Sequence, residues 1–378
     1  MALFGQEKDD SQKIRYAVVG LGWITQEVVL PAFKKTKYSE LTAFVTGDPT
    51  KAQELGKKYD VSQSVGYEGY DELLRSGSID AVYIALPNNM HKDYTMRAAG
   101  AGVHVLCEKP MADNVAECEE MIRAAEEGGV KLMIAYRLHF EPANLKAIEI
   151  IKSGEIGEPR IFSSVFSQQV VEGNIRLKKA LGGGPLMDMG VYPINAARYL
   201  FQDEPTEVTG VGANGGDPRF SEVHEMATGI LRFPGDRLGV FTCSFGASAA
   251  DAYQVVGTKG ELRLKPGFDY HEPYKLQLKI EGKEKEISID KVDQFGAEIE
   301  YFSQCILNDA EPEPSGVEGL ADVRIVQGLL ESMRSGRPVK LGPFEKRRRP
   351  GQGQGQKFEK SPVKPEKKLV HAERAAGQ

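Results

Sequence analysis

Ile14-Arg15-Tyr16-Ala17-Val18-Val19-Gly20-Leu21-Gly22-Trp23-Ile24-Thr25 is the stretch on which the fold turns. Ile14–Val19 is mostly apolar, as a strand buried on both faces must be. The glycines behind it match the first two of a GxGxxG pattern, with Thr25 where the third small residue belongs. Gly20 permits the tight turn out of the strand. Gly22 lets the backbone approach a pyrophosphate, which the next helix attracts with its N-terminal N–H groups. Val28, Val29, Ala32 and Phe33 follow with helical spacing. Two nearby glycines occur in many turns, but between a strand and a helix they predict a dinucleotide site, with Trp23 and Ile24 in its wall.

The alternation repeats. Residues 41–45 read as a strand, 52–59 and 70–76 as helices, 81–86 as a buried strand and 90–99 as a helix. Val103-His104-Val105-Leu106-Cys107-Glu108-Lys109-Pro110 is an apolar strand stopped by a charged pair and a proline that cannot donate a ladder hydrogen bond. A helix over Val115–Glu127 and a strand over 131–135 complete the run. Strands separated by helices make βαβ units, hence a doubly wound parallel sheet. Ligands sit outside the carboxyl ends of such strands. That edge receives Glu108 and Lys109, together with the loop Pro87-Asn88-Asn89-Met90-His91, in which Pro87, Asn88 and His91 are candidate cofactor contacts.

The end of the second strand reports on the cofactor. NAD-specific domains usually carry an acid there for the ribose 2′-hydroxyl. Here Thr46 stands at that point, with Gly47, Asp48 and, further on, Lys51. A small hydroxyl with a nearby ammonium suits a 2′-phosphate, so NADP is expected. NAD is restored if Asp48 turns inward, whereas Asp48 before Pro49 also fits a helix N-cap.

The chain has 378 residues, enough for two domains, with 41% hydrophobic and 27% charged content typical of soluble globular proteins. A net charge of −6 argues against a nucleic-acid binder, and no apolar run approaches a membrane span. Residues 1–12 are a polar extension without the apolar core of a signal peptide. Cys107, Cys118, Cys243 and Cys305 are scattered, which suggests reduced thiols, no metal site and a cytoplasmic location. From Glu345 to Gln378, ten Lys or Arg face four Glu, so the tail carries +6 and the rest −12. Its Gly-Gln repeats and Lys/Pro-rich sequence predict a disordered, idle basic tail.

After a helix over 144–153 the chain turns strand-rich: 161–171, 207–213, 226–233, 238–245, 253–257, 261–264, 275–280 and 285–289. Strands in direct succession indicate antiparallel hairpins. Helices over 294–307 and 317–334 close the body. Between helix and strands lies Gly182-Gly183-Gly184-Pro185-Leu186-Met187-Asp188-Met189-Gly190-Val191-Tyr192, a glycine loop entering a helix. Asp188 and Tyr192, four apart, face one way on that helix, and Pro193 predicts a kink at Tyr192.

Gly20–Thr25, Pro87–His91, Cys107–Pro110 and Gly182–Leu200 together resemble the glucose–fructose oxidoreductase and inositol dehydrogenase (Gfo/Idh/MocA) family, in its order and spacing. The resemblance runs from about Lys13 to Pro338. It implies a Rossmann NAD(P)-binding domain at 13–136 and an α+β substrate and dimerisation domain at 137–342, with a tail at 343–378. The second domain is expected to carry a large, open, mostly antiparallel sheet, through which family members form dimers or dimers of dimers. Members with a DxGxH pattern use the histidine as acid/base. Tyr192 stands there instead, which resembles the branch of glucose–fructose oxidoreductase and the dimeric sugar and dihydrodiol dehydrogenases. That departure argues against inositol dehydrogenase activity and for oxidation at the anomeric carbon of an aldose.

The expected reaction moves a hydride from an aldose C1 hydroxyl to NADP. Tyr192 is the acid/base: a free phenol holds its proton to pH ~10, and the Lys109 ammonium would favour the phenolate. Asp188 would orient Lys109 or bind a sugar hydroxyl. Arg137 and His139, at the domain junction, and Arg176 are further candidates for contacting cofactor or sugar. Two other readings stand beside this one. The first is an aldose–ketose or aldose–aldose oxidoreductase whose NADP never leaves; the second is a non-catalytic NADP sensor, against which the presence of Lys109, Asp188 and Tyr192 together speaks.

Overall fold

The computed structural model describes residues 12–346, 348–351 and 365–374. The first part alternates β1 (Ile14–Val19), a helix formed by a π-helical turn at Thr25–Val29 and α1 (Leu30–Phe33), β2 (Ser39–Val45), α2 (Pro49–Tyr59), β3 (Gln63–Val65), α3 (Tyr70–Arg75), β4 (Ala81–Ile84), α4 (His91–Gly100), β5 (His104–Cys107), α5 (Val115–Glu127) and β6 (Leu132–Ile134). Among the described residues these strands form a parallel six-stranded sheet in the order β3-β2-β1-β4-β5-β6. The order reverses between β1 and β4, the switch point where a ligand crevice opens.

Local chemistry sets these boundaries. Asp48 caps α2 by accepting from the N–H groups of Thr50 and Lys51 at 2.9 and 3.2 Å. Asn114 caps α5 through the N–H of Glu117. All four residues of β4 are buried, and each large apolar side chain so placed contributes about 1.5–3 kcal/mol.

The chain continues through α6 (Pro142–Ser153), β7 (Pro159–Ser167), α7 (Val191–Phe201), β8 (Glu207–Ala213), β9 (Met226–Phe233), β10 (Arg237–Ser244), β11 (Ala250–Gly257), β12 (Gly260–Lys265), β13 (Tyr274–Ile280), β14 (Lys283–Ile289), α8 (Gln294–Leu307), α9 (Gly316–Ser335) and β15 (Val339–Lys340). Its described strands make one nine-stranded sheet, β14-β13-β12-β11-β7-β10-β9-β8-β15. Only the β7–β10 pairing is parallel. One face packs on α6, α7 and α9. The other leaves Ile161, Val165, Val211, Ile230, Leu238 and Val240 exposed.

Three expectations need correction. Leu186–Gly190 is a π-helical turn that runs directly into α7, with Gly190 and Val191 in right-handed helical geometry, so Pro193 stands inside one continuous helix and does not end it. Asp188 and Tyr192 still share the cavity. Second, α8 returns to the first part: Phe295, Ile299 and Phe302 join the core that contains Tyr16, Val28 and Phe44. Third, the described parts of the basic tail are packed. Lys346 is buried between Glu313 and Glu318, and Arg349 pairs with Glu204 at 2.9 Å. These join Arg198, which binds Glu204, Glu318 and Asp322 at 2.6–2.8 Å. Four buried carboxylates thus draw cations out of a segment whose composition alone suggests solvation. Residues 347, 352–364 and 375–378, and the N-terminal extension through residue 11, lie outside the described residues.

Candidate active site

A continuous cavity of about 1350 Å³ opens between the two sheets at the carboxyl ends of β1, β4 and β5. Its lining also takes in Val165, Val240 and Thr242 of the large sheet, so its volume exceeds that of the reaction site alone. The strand ends are aligned: Ala85 donates to the Val19 carbonyl, and Glu108 donates to that of Ile84. Gly20 holds φ +92°, and a Cβ there would stand 2.4 Å from the Ala85 carbonyl oxygen. Gly22, in contrast, faces open space with nothing within 4 Å of where a Cβ would be. A turn with one glycine required by backbone approach and another facing a vacant cradle fits a dinucleotide pyrophosphate.

β5 delivers Lys109 past the sheet edge. Its Nζ donates to the Asp188 backbone carbonyl at 3.0 Å and to Asp188 Oδ1 at 3.2 Å. The same ammonium lies 4.7 Å from the centre of the Tyr192 ring. Arg176 Nε takes the other carboxylate oxygen of Asp188 at 2.6 Å, while its guanidinium stands 5.5 Å from the Trp23 ring. Burial alone would lower the pKa of Lys109, but Tyr192, Asp188 and Glu108 outweigh it and raise it. Burial would lift Asp188 as well, yet Arg176 and Lys109 hold its carboxyl well below the usual range. Glu108 accepts from the Tyr83 hydroxyl at 2.8 Å, and burial pushes its carboxyl upward.

The phenol of Tyr192 has a second cation beside it. Arg137 Nη2 donates to its oxygen at 3.4 Å and to the Phe268 carbonyl at 2.5 Å, while Nη1 holds Gln294. The Tyr192 ring rests against Phe166 and Phe268, with centroids 5.5 and 6.0 Å away. Asp251 pins the Phe268 loop by accepting from the N–H groups of Gly267, Phe268 and Asp269; burial lifts its carboxyl to about 6.

Of the expected contacts, Gly20, Gly22, Trp23, Ile24, Thr46, Lys51, Pro87, Asn88, Glu108, Lys109, Arg137, Arg176, Asp188 and Tyr192 all line this cavity. His91 does not. It is fully buried beneath the floor, its two ring nitrogens each 2.9 Å from the Leu86 and Pro110 carbonyl oxygens, so it ties two cavity loops together. His139 is also buried away from the cavity, bonded to Asn195 at 2.8 Å and lying 3.3 Å from Glu313. Its cluster with Glu313 and Glu318 has metal-like spacing, but the Lys346 ammonium pairs with both carboxylates. Sequence reading missed Glu27, Tyr270 and Arg374, all in the cavity wall. Glu27 and Tyr270 lie in segments that read only as helix and loop, and Arg374 lies in a tail read by composition.

Residues 14–136 match the model of an oxidoreductase family with an NAD-binding Rossmann fold, and residues 144–263 match the GFO/IDH/MocA C-terminal domain. The chain belongs to the Gfo/Idh/MocA oxidoreductase family. A D-xylose 1-dehydrogenase [NADP(+)] from Haloarcula marismortui is 34% identical over 335 residues, 87% of this chain and 93% of that one. Among solved structures, an aldose-aldose oxidoreductase from Caulobacter crescentus complexed with glycerol is 36% identical with a TM-score of 0.84, covering 87% of this chain and 100% of that chain. A 3-ketoreductase from Actinomadura kijaniata in complex with NADP and TDP-benzene is 26% identical with a TM-score of 0.79, covering 85% and 98%. Both Gfo/Idh/MocA domains are thus present here, and the cavity lies where they meet.

Proposed function

We propose that this chain is an NADP-dependent sugar oxidoreductase that takes a hydride from C1 of an aldose, the carbon bearing the oxidised hydroxyl, with Tyr192 as acid/base. The observation that carries the reading is the convergence of Lys109, Asp188 and Tyr192 on the cavity that begins at Gly20 and Gly22. When bound, the nicotinamide supplies a two-electron hydride acceptor. The chain's residues do the rest. Tyr192, acting as the phenolate after its own proton has passed to solvent, receives the hydroxyl proton as the hydride leaves C1, and Lys109 and Arg137 flank the ring and oxygen of that anion. Asp188 fixes Lys109 and Arg176 in position.

NADP is supported by Thr46 and Lys51 in the cavity wall and by Asp48, whose Oδ1 is committed to capping α2. The named cofactors of the Haloarcula and Actinomadura relatives agree. A second reading, an oxidoreductase that passes hydride between two sugars on a retained NADP, draws support from the likeness to the Caulobacter enzyme. An aldose panel followed by reduced-nicotinamide absorbance tests both. Turnover that requires added NADP favours the dehydrogenase. Turnover needing only a second sugar, with cofactor surviving dialysis, favours the exchanger. No oxidation of any aldose refutes both.

The exposed apolar row on the large sheet supports a homodimer or homotetramer through that face. Four buried, unpaired cysteines fit the cytoplasm. Among the described residues no helix is long and apolar enough to cross a membrane.

A further inference from the structure

Residues 365–374 lie outside both matched family domains, yet they lie against the cofactor end of the cavity. Val370 pairs with the Gln26 side chain in both directions: its N–H donates to Oε1 at 2.7 Å, and its carbonyl accepts from Nε2 at 2.9 Å. The Val370 side chain packs against the core of the first sheet, so the segment is anchored by apolar contact as well. Glu366 donates its N–H to the Glu27 carbonyl at 3.0 Å and pairs through its side chain with Lys58.

Two cation-capable side chains of this segment meet two carboxylates. Arg374, itself in the cavity wall, donates from Nε and Nη2 to Glu27 Oε1 at 2.9 and 2.8 Å. His371 Nδ1 donates to Asp48 Oδ2 at 2.9 Å. Glu27 is 2% exposed and stands on the helix that follows Gly22, the helix whose N-terminus receives a pyrophosphate in this fold. Asp48 stands at the end of β2, beside the position that reads the ribose. Left alone, each carboxylate would oppose an anionic group of NADP by like-charge repulsion. With the segment in place, Glu27 faces a guanidinium, and both Asp48 oxygens are engaged, one by the α2 cap and one by His371.

We propose that residues 365–374 are a strap belonging to the NADP site, which masks Glu27 and Asp48, slows cofactor release and favours the 2′-phosphorylated nucleotide over NAD. The proposal rests on the reading of this cavity as an NADP site. It gives a physical route to a cofactor that stays bound between turnovers.

The test compares the full chain with full-length Arg374→Ala, His371→Ala and the double variant. NADPH and NADH binding are read by calorimetry, and dissociation by stopped-flow fluorescence. Losing a charge-assisted contact of this kind predicts an NADPH Kd raised about 10-fold or more in the double variant, mostly through faster release. Arg374→Ala should weaken NADPH and NADH alike, because both carry the pyrophosphate that an unmasked Glu27 opposes, whereas His371→Ala should weaken NADPH more than NADH, so the preference narrows there. A chain ending at Lys364, checked for folding by circular dichroism, should show the same pattern; if it does not fold, the point variants decide. Unchanged NADPH affinity and release in the double variant, or equal losses for NADPH and NADH in His371→Ala, would overturn the strap. Failure of the unaltered chain to bind NADPH would instead overturn the cofactor reading beneath it.

Discussion

Tyr192→Phe removes one oxygen from the proposed reaction centre and little else. The ring keeps its neighbours Phe166 and Phe268, and among the described residues the hydrogen bond lost is a long one, 3.4 Å from Arg137 Nη2. A charge-assisted bond stretched to 3.4 Å falls short of the ~1.5–3 kcal/mol of a well-formed one, so the thermal midpoint should move only slightly. Turnover is another matter. Without the phenol, Lys109 is a poor substitute, because its ammonium is paired with Asp188 at 3.2 Å and its pKa is raised, so it neither gives up nor accepts a proton readily. Loss of acid/base catalysis lowers kcat at least ~10²-fold, about 2.7 kcal/mol of transition-state stabilisation. Steady-state kinetics on the best aldose, with NADPH binding measured in parallel, separates chemistry from cofactor capture. A Phe variant with near-normal turnover refutes the assignment; so does one that loses NADPH binding as severely as it loses turnover.

Asp188→Asn leaves Lys109 and Arg176 as neighbouring cations without their shared carboxylate, and the misplaced ammonium should lower kcat about 10- to 100-fold; unchanged kcat would remove Asp188 from the mechanism. Glu141 caps α6 from a fully buried site, and burial, opposed by N–H groups of Ala143 and Asn144, lifts its carboxyl from 4.5 to about 7. The folded state therefore binds this proton more tightly, so its contribution is full below pH ~4.5 and fades as pH rises through about 7, costing up to ~3 kcal/mol by pH 8. Glu141→Gln should consequently show a flatter fall of thermal midpoint between pH 5 and 8 (roughly the titration window), whereas parallel curves would contradict the sign. On the open face of the large sheet, Val165 is 48% exposed in a row with Ile161 and Leu238. Val165→Glu buries a charge in the proposed dimer and should reduce the mass seen by light scattering; a wild-type monomer would dispose of that interface.

Much of the architecture was legible because strand and helix periods are local. β8, β9, α5 and α8 have the bounds that patterning predicts. β3, Gln63–Val65, was missed: an edge strand of three residues with two polar ones carries no period. The π-helical turn at Leu186–Gly190 was missed because an i, i+4 spacing does not reveal one extra residue per turn. Cavity-lining residues could be found where they follow a strand end, as Lys109 does. His91 and His139 misled for the opposite reason. Their partners Pro110 and Asn195 are 19 and 56 residues away, and nothing in the local sequence tells a buried, bonded imidazole from a cavity-facing one. The tail is the clearest failure of composition: His371 reaches Asp48 across 323 residues, and Arg374 reaches Glu27 across 347. Charge runs are usually solvated, but buried carboxylates elsewhere in the chain can recruit them.

Isotope transfer reaches the heart of the account. An aldose deuterated at C1 is incubated with the full chain and NADP, and the reduced nucleotide is analysed by mass spectrometry. Deuterium carried into the nicotinamide ring of NADPH is the predicted result. NADPH formed without the label, or an aldose recovered with its C1 deuterium intact under conditions where the protein binds NADP, would contradict hydride transfer from the anomeric carbon.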